Sequence, residues 1–183
     1  MPIYESKDYE TVIKRIQEKV DTFHIKMGKC LSEEEIAAFE KQHKVQLPQA
    51  YRIFLQKVGN GCEQMLDGRR LNRLEDCPCE DLAAPFMLEE NWIWEVDDRD
   101  YDTISSEKEN KVYRGNVELI DIGCCMSYNL IISGKCRGEV WNFTDVGVQP
   151  CCERQDFLGW FELWLDNQDG TDYFKDFVYD DED

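Results

Sequence analysis

Residues 31–61 have the sequence LSEEEIAAFEKQHKVQLPQAYRIFLQKVGNG, which contains start and stop signals for two helices. Ser32 is predicted to cap the first helix, and Glu35 can reach back to the Ser32 N–H, so that the two residues form a capping box. The second helix is predicted to start at Pro48, where a missing N–H costs no hydrogen bond and φ is already helical. It should end at the Gly-Asn-Gly sequence of residues 59–61, because glycine and asparagine adopt the left-handed conformation that closes a helix.

Further helices are predicted near both ends of the chain. Residues 8–26 place valine and isoleucine side chains on one helical face and charged side chains on the other. Residues 156–167 place apolar side chains at i, i+3, i+4, i+7 and i+8, with Asp156 as the N-cap. The apolar residues of this last helix are Phe157, Trp160, Phe161, Trp164 and Leu165.

The middle of the chain predicts a β-meander over residues 112–149, where short apolar runs are separated by glycines that suit turns and bulges. With helices before and after it, this meander indicates one α+β domain that spans residues 1–183 and ends in an acidic tail at 168–183. The strands are predicted at residues 117–120, 129–133 and 139–143.

A tryptophan-rich segment precedes the meander. Trp92, Trp94 and Val96 alternate with other residues, a pattern typical of a strand with one aromatic face. Residues 97–111 are highly polar, and we expect them to form an exposed loop.

The charge of the chain bounds its partners. It has 39 acidic and 21 basic residues and a net charge of −18. Nucleic acids and anionic membranes both bind basic patches, so neither is expected as a partner. The charge favours a basic partner or simply keeps the protein in solution.

Residues 1–30 lack the apolar core of a signal peptide, and no run approaches the ~18 apolar residues of a membrane span. We therefore expect a cytoplasmic protein.

Reactive chemistry has little support in the sequence. The two histidines, His24 and His43, lie among Lys and Glu on predicted helices, so no base is evident beside a Cys or Ser nucleophile. We expect no catalytic residue and no cofactor.

The nine cysteines, an odd number without an export signal, indicate free thiols. Zinc ligands are typically two to four residues apart, whereas adjacent residues of a strand point to opposite faces. A zinc protein remains an alternative because of three close pairs, Cys77/Cys79, Cys124/Cys125 and Cys151/Cys152.

Three blocks of the sequence together cover about residues 31–167: first Phe39, Glu40, Leu47, Pro48, Tyr51, Phe54, Leu55 and Gly59-Asn60-Gly61, then NLIISG at 129–134 and RGEVW at 137–141, then DFLGWFELWLDN at 156–167. These blocks, in this order, resemble the SUKH superfamily. Many members of that family have glycine where this chain has Cys125, so the bend there is expected to differ slightly.

The SUKH superfamily includes fungal regulators of cell-wall glucan synthesis and bacterial immunity proteins that neutralise toxins. The resemblance implies a mainly antiparallel sheet with N-terminal helices and a C-terminal helix packed on it. It also implies a non-catalytic, protein-binding function. The first interpretation is an immunity protein that binds a cognate basic toxin, nucleases being one class of such toxins. The alternative is a regulatory scaffold. The sequence leaves the oligomeric state open.

Tryptophans flanked by carboxylates suit a contact surface for a basic partner, since rings supply contact area and acids supply attraction. The same pattern also suits a half-buried edge strand, and both readings stay open here. The candidate contact residues are Glu89, Glu90, Trp92, Trp94, Glu95, Asp97 and Asp98.

Overall fold

The computed structural model describes residues 4–64, 68–77, 81–151 and 156–166. These residues form one α+β domain with five α-helices and one five-stranded antiparallel sheet. The helices are α1 (Tyr9–Thr22), α2 (Glu33–His43), α3 (Gln49–Lys57), α4 (Tyr101–Lys111) and α5 (Phe157–Asp166). The strands are β1 (Trp92–Ile93), β2 (Asn116–Gly123), β3 (Met126–Ile131), β4 (Val140–Phe143) and β5 (Gly147–Pro150). Within the described ranges, each helix is too short or too polar to cross a bilayer.

The helix pair predicted from residues 31–61 is confirmed. The Ser32 hydroxyl accepts a hydrogen bond from the Glu35 N–H at 3.2 Å, and the Glu35 carboxylate accepts one from the Ser32 N–H at 2.7 Å. Helix α3 begins one residue after Pro48 and ends at Lys57, just before the Gly-Asn-Gly sequence. Helix α2 therefore follows from local capping chemistry, and α3 lies between the proline and the glycines that the sequence marks as its limits.

The strands lie in the order β1-β5-β4-β3-β2, and every neighbouring pair is antiparallel. The three predicted strands of the meander are confirmed as β2, β3 and β4, and β5 adds a short fourth strand before the chain turns toward α5. The inner face of the sheet contributes Val117, Leu130 and Val140 to the main core. Within that core, aromatic side chains of α3 and α5 pack against one another. Phe54 contacts Phe157 and Phe161 with ring centroids 4.8 and 4.7 Å apart.

A buried carboxylate joins helix α1 to helix α5. Glu162 of α5 is 4% exposed and accepts two hydrogen bonds of 2.9 Å from the Arg15 guanidinium of α1. It also accepts hydrogen bonds from the Tyr4 hydroxyl at 2.6 Å and the Lys19 ammonium at 3.1 Å. Burial disfavours the charged form of Glu162, but these donors outweigh it and lower its pKa to about 2.

The outer face of the sheet carries a second, smaller apolar cluster over β4 and β5. In it, Phe86 packs edge-on against Trp141 with ring centroids 4.9 Å apart. Ile104 of α4 and Trp94 complete the cover on this side. The domain therefore has two apolar clusters, one on each face of a single sheet.

The prediction of a loop over residues 97–111 is wrong, because α4 occupies Tyr101–Lys111. Ile104 is its only buried residue, so the helix lacks the apolar stripe on which the sequence argument depended. Its start signal is local: the Asp100 carboxylate accepts a 2.9 Å hydrogen bond from the Thr103 N–H.

The predicted strand at residues 92–96 is only partly correct. Trp92 and Ile93 pair with β5, but Trp94–Val96 form a 3₁₀ turn. The turn brings the Trp94 indole N–H to the backbone carbonyl of Asp145, which accepts its hydrogen bond. This long-range bond and the burial of Trp94 favour the turn over a continued strand.

The hairpin between β2 and β3 turns through Cys124 and Cys125, whose φ angles are 51° and 62°. Two-residue hairpins of this kind require positive φ at both positions, which costs a non-glycine residue about 1–2 kcal/mol. We expect Cys125→Gly to stabilise the protein by up to about 1 kcal/mol, after the greater entropy of glycine in the unfolded chain is subtracted. Urea unfolding measures the change. Cys125→Ser removes the thiol without relieving the turn and is the control, and equal stability of the two variants would contradict this account.

Candidate partner-binding surface

The predicted contact residues follow a backbone segment that is hydrogen-bonded to the other elements on the outer side of the sheet. We call these elements, α4 and the small apolar cluster, the outer layer. The Phe86 N–H donates to the Ser133 carbonyl at 2.8 Å, and the Met87 N–H donates to the Lys111 carbonyl at 2.9 Å. The first bond ties the segment to the sheet region and the second ties it to α4. The backbone immediately before residues 89–98 is therefore held in place by hydrogen bonds on two sides.

Trp94 is a supporting residue rather than an exposed contact. It is 7% exposed, and the Lys108 ammonium of α4 lies 4.4 Å from its ring centroid. This cation–π contact and the bond to Asp145 hold the indole between α4 and the sheet.

Trp92 is half-buried and rests edge-on against Trp94, with ring centroids 5.6 Å apart. Its indole N–H donates to the Asp97 carboxylate at 3.0 Å. The Arg99 and Lys111 cations lie 5.7 and 5.9 Å from its ring centroid. Trp92 is thus fixed on several sides, and its exposed part is presented in one orientation.

An ion-pair network joins Asp97 to α4. Arg99 donates to Asp97 at 2.7 Å and to Glu107 at 2.8 Å, and Lys111 continues the network to Glu107. Hydrogen bonds from Arg99 and then Trp92 hold the pKa of Asp97 well below its usual range. The Asp97 side chain is 15% exposed, so its charge interacts mainly with Arg99 and Trp92 of the same protein.

The remaining predicted acids are on the surface. Glu89, Glu90, Glu95 and Asp98 are exposed, and Glu89 pairs with Lys135. Glu89, Glu90 and Trp92 share a groove of about 440 Å³. Glu95 and Asp98 lie outside that groove's lining. We call this set of seven residues, Glu89, Glu90, Trp92, Trp94, Glu95, Asp97 and Asp98, the acidic–aromatic surface.

The candidate contact residues predicted from the sequence did not include two exposed apolar side chains beside these acids. Val96 is 65% exposed and Tyr101 is 79% exposed. Tyr101 opens α4, a helix that the polarity of residues 97–111 concealed. The available signal was the helix-start pattern of Asp100 and Thr103, since an aspartate three residues before a threonine suits an N-cap.

The cysteine pairs are not assembled into a metal site in the described parts of the chain, where no group of three or more Cys, His, Asp or Glu is suitably placed. Cys79 and Cys152 lie outside the described residues. The buried Cys77 thiol donates to the Arg73 carbonyl at 3.3 Å and to that of Glu118 at 3.4 Å. Cys124 and Cys125 are exposed at the hairpin turn.

A second groove, which the sequence argument did not predict, lies on the outer face of β2 and β3. Its volume is about 590 Å³, and it is lined mainly by polar side chains, among them Asn116, Glu118 and Asn129. The available signal was a short alternation: Asn116 and Glu118 of β2 flank Val117, and Ser127 and Asn129 of β3 flank Tyr128.

The sequence comparisons agree with this architecture. The model of the SMI1 / KNR4 family (SUKH-1) matches residues 30–167, which is well over half of the chain. A search of curated proteins finds no significant match.

Proposed function

The chain belongs to the SMI1 / KNR4 family (SUKH-1), and from this premise we propose that it is an immunity protein, a non-catalytic domain that neutralises a cognate toxin by binding it directly. The proposed partner is a basic toxin domain. Nucleases fit this description, because an enzyme that binds nucleic acid needs a basic cleft. The acidic–aromatic surface is the proposed point of contact.

The observation that carries this proposal is the mixed chemistry of residues 95–101. Exposed acids, Glu95 and Asp98, lie in the same short stretch as the exposed apolar side chains of Val96 and Tyr101. Aromatic and apolar side chains supply contact energy at protein interfaces, and surrounding charges supply specificity and fast association.

Two features of the surface favour rapid and specific binding. The net charge of −18 attracts a basic partner at long range and raises the association rate at low salt. The ring of Trp92 is already fixed by Trp94, Asp97 and the cations beside it, so little side-chain freedom is lost when a partner binds.

The identity of the partner is tested by co-purification of the tagged chain from its source cell. We expect a protein with a basic domain whose toxicity disappears when the chain is co-expressed with it. Recovery of endogenous cell-wall synthesis proteins without any toxin would instead favour the regulatory scaffold.

With the captured toxin domain in hand, charge reversal tests the surface. We expect the double variant Glu95→Lys/Asp98→Lys to associate about tenfold more slowly at low salt, because it replaces local attraction by repulsion. Asp97 is left intact, since it holds Arg99 and Trp92 in place. Stopped-flow association rates at low and high salt measure the effect, which should shrink as salt screens the charges.

The matched control is Glu10→Lys/Glu18→Lys on α1, whose residues are also exposed but lie with the helices of the inner face. Each substitution removes one negative charge and adds one positive charge, so both double variants change the net charge from −18 to −14. Equal slowing by the two double variants would show that only total charge matters and would reject this surface.

A further inference from the structure

From the second groove we infer that this chain has an arginine-recognition site, in which the outer face of β2 and β3 takes one arginine side chain of the protein partner. The inference rests on the proposed function for the source of that arginine. The groove itself and its chemistry do not depend on which toxin binds.

The sheet register brings the polar side chains of the groove together. Asn129 of β3 pairs with Glu118 of β2 on one side and with Trp141 of β4 on the other, and Ser127 pairs with Phe143. Directly paired residues project from the same face of a sheet. The small apolar cluster covers the Trp141 side of this face, and the groove occupies the β2–β3 side.

Hydrogen bonds fix the orientation of the two asparagines. The Asn116 side-chain NH₂ group donates to the carbonyls of Val112 and Arg114, both at 2.8 Å. Carbonyls only accept hydrogen bonds, so the Asn116 amide oxygen must face the other way, where it accepts from the Asn129 NH₂ group at 2.8 Å. The Asn129 oxygen in turn accepts from the Ser127 hydroxyl at 2.7 Å.

This chain of bonds leaves the groove rich in acceptors. Both N–H groups of Asn116 and one of the two of Asn129 are used, and the buried Arg114 Nε–H is a donor without a partner in the described parts of the chain. Against these two donors, each amide oxygen has a lone pair left beyond the bond it accepts, and the Glu118 and Asp145 carboxylates add further acceptors. A complementary ligand must therefore bring donors. A guanidinium group has five N–H donors and no acceptor.

The carboxylates of the groove, Glu118 and Asp145, favour binding of a cation. Glu118 is half-buried and its side chain accepts one long bond, 3.3 Å, from the Asn72 amide. Burial and then the Asp121 carboxylate beside it raise the pKa of Glu118. Among the described residues the exposed Asp145 side chain has no ion pair or hydrogen bond. The resident cation Arg114 is 3.6 Å from Asp81 and forms no ion pair with either groove acid within the described parts of the chain.

Aromatic walls distinguish arginine from lysine. Phe143 and Tyr113 line the groove, and Tyr113 is exposed enough to meet a ligand. A planar guanidinium can stack on a ring while it bonds a carboxylate, whereas an ammonium group offers charge without a flat face. The donors, charge and shape that the groove requires therefore coincide in an arginine side chain.

The test is an NMR titration of the full-length labelled chain with methylguanidinium chloride, and with methylammonium chloride at the same ionic strength. We expect methylguanidinium to shift the side-chain amides of Asn116 and Asn129 and the carboxyl carbon of Glu118. Methylammonium should bind there at least about threefold more weakly, because it cannot stack or bond in two places. Glu118→Gln should weaken methylguanidinium binding about fivefold or more, because it removes the carboxylate charge to which the N–H groups of methylguanidinium donate.

Two further variants keep the result interpretable. Glu95→Gln removes one acid from the acidic–aromatic surface and should leave the groove shifts unchanged. Tyr113→Leu removes the aromatic wall and serves if Glu118→Gln does not fold. Shifts spread over all surface acids, or unchanged binding in Glu118→Gln or Tyr113→Leu, would overturn the site. Equal binding of the two cations would overturn its preference for arginine. The toxin is absent from this experiment, so its failure is distinct from a failure of the proposed function.

Discussion

Gly115→Ala is expected to lower the free energy of unfolding by about 3 kcal/mol or more. Gly115 has a φ of +64°, and a Cβ atom there would lie 2.4 Å from the Ala84 carbonyl oxygen and 2.6 Å from the Phe86 nitrogen. Both neighbours are backbone atoms of the segment that leads to the acidic–aromatic surface. They cannot move without disturbing the bond from Phe86 to Ser133. The variant should therefore loosen the outer layer as well as destabilise the fold.

Gly123→Ala is the matched control for this prediction. Gly123 also has positive φ, 89°, but a Cβ atom there would meet nothing within 4 Å. It should cost only the conformational strain, about 1–2 kcal/mol. Urea unfolding of both variants separates strain from steric overlap. If the two variants lose the same stability, the close approach of the chain to Phe86 is not a constraint on the fold.

The second large effect is expected at Glu162. Glu162→Gln should lower the free energy of unfolding at pH 7 by about 2–3 kcal/mol, because a buried carboxylate loses its charge beside Arg15 and Lys19. The expected loss of stability is no larger because the Arg15 side chain is 42% exposed, so solvent screens part of its attraction to Glu162.

The sign of the pH dependence follows from the lowered pKa. Glu162 has a pKa of about 2 in the folded protein against an ordinary value of 4.5, so its stabilisation is complete well above pH 4.5. It is lost progressively as the pH falls from about 5 toward 2, where the folded state also takes up the proton. The stability difference between the unmodified chain and Glu162→Gln should therefore shrink over this range.

Urea unfolding at pH 7, 5 and 3 measures this difference. Glu18→Gln makes the same chemical change at an exposed position of α1 and should have little effect at any of the three pH values. A Glu162→Gln deficit that stayed constant from pH 7 to pH 3 would show that lost packing, and not lost charge, explains the change.

Local chemistry explains what the sequence predicted well. The capping box at Ser32 and Glu35, and the Asp156 cap of α5, use bonds between residues only three positions apart, so their pattern is visible in the chain itself. The strands of the meander were predicted because their apolar positions face a core that the helices of the inner face cover. The family resemblance was confirmed by the match over residues 30–167.

What the sequence did not predict depends on contacts between distant segments. Helix α4 buries Ile104 alone and gains support from the contact of Lys108 with Trp94, which hydrophobic periodicity does not show. The bond from Trp94 to Asp145 joins residues 51 positions apart. The polar groove likewise exists only because the register sets Asn129 beside Glu118. The role of the acidic–aromatic surface stays a prediction.

The two apolar clusters on opposite faces of the sheet have a consequence for how binding specificity can change. The main core lies on one face of the sheet, together with Glu162 and the side chains that bond it. The proposed binding residues belong to the layer on the other face. Under the proposed function, mutations that change the partner would fall on a layer with its own small core. A lineage could therefore diversify its recognition while the part of the molecule that dominates folding stays unchanged.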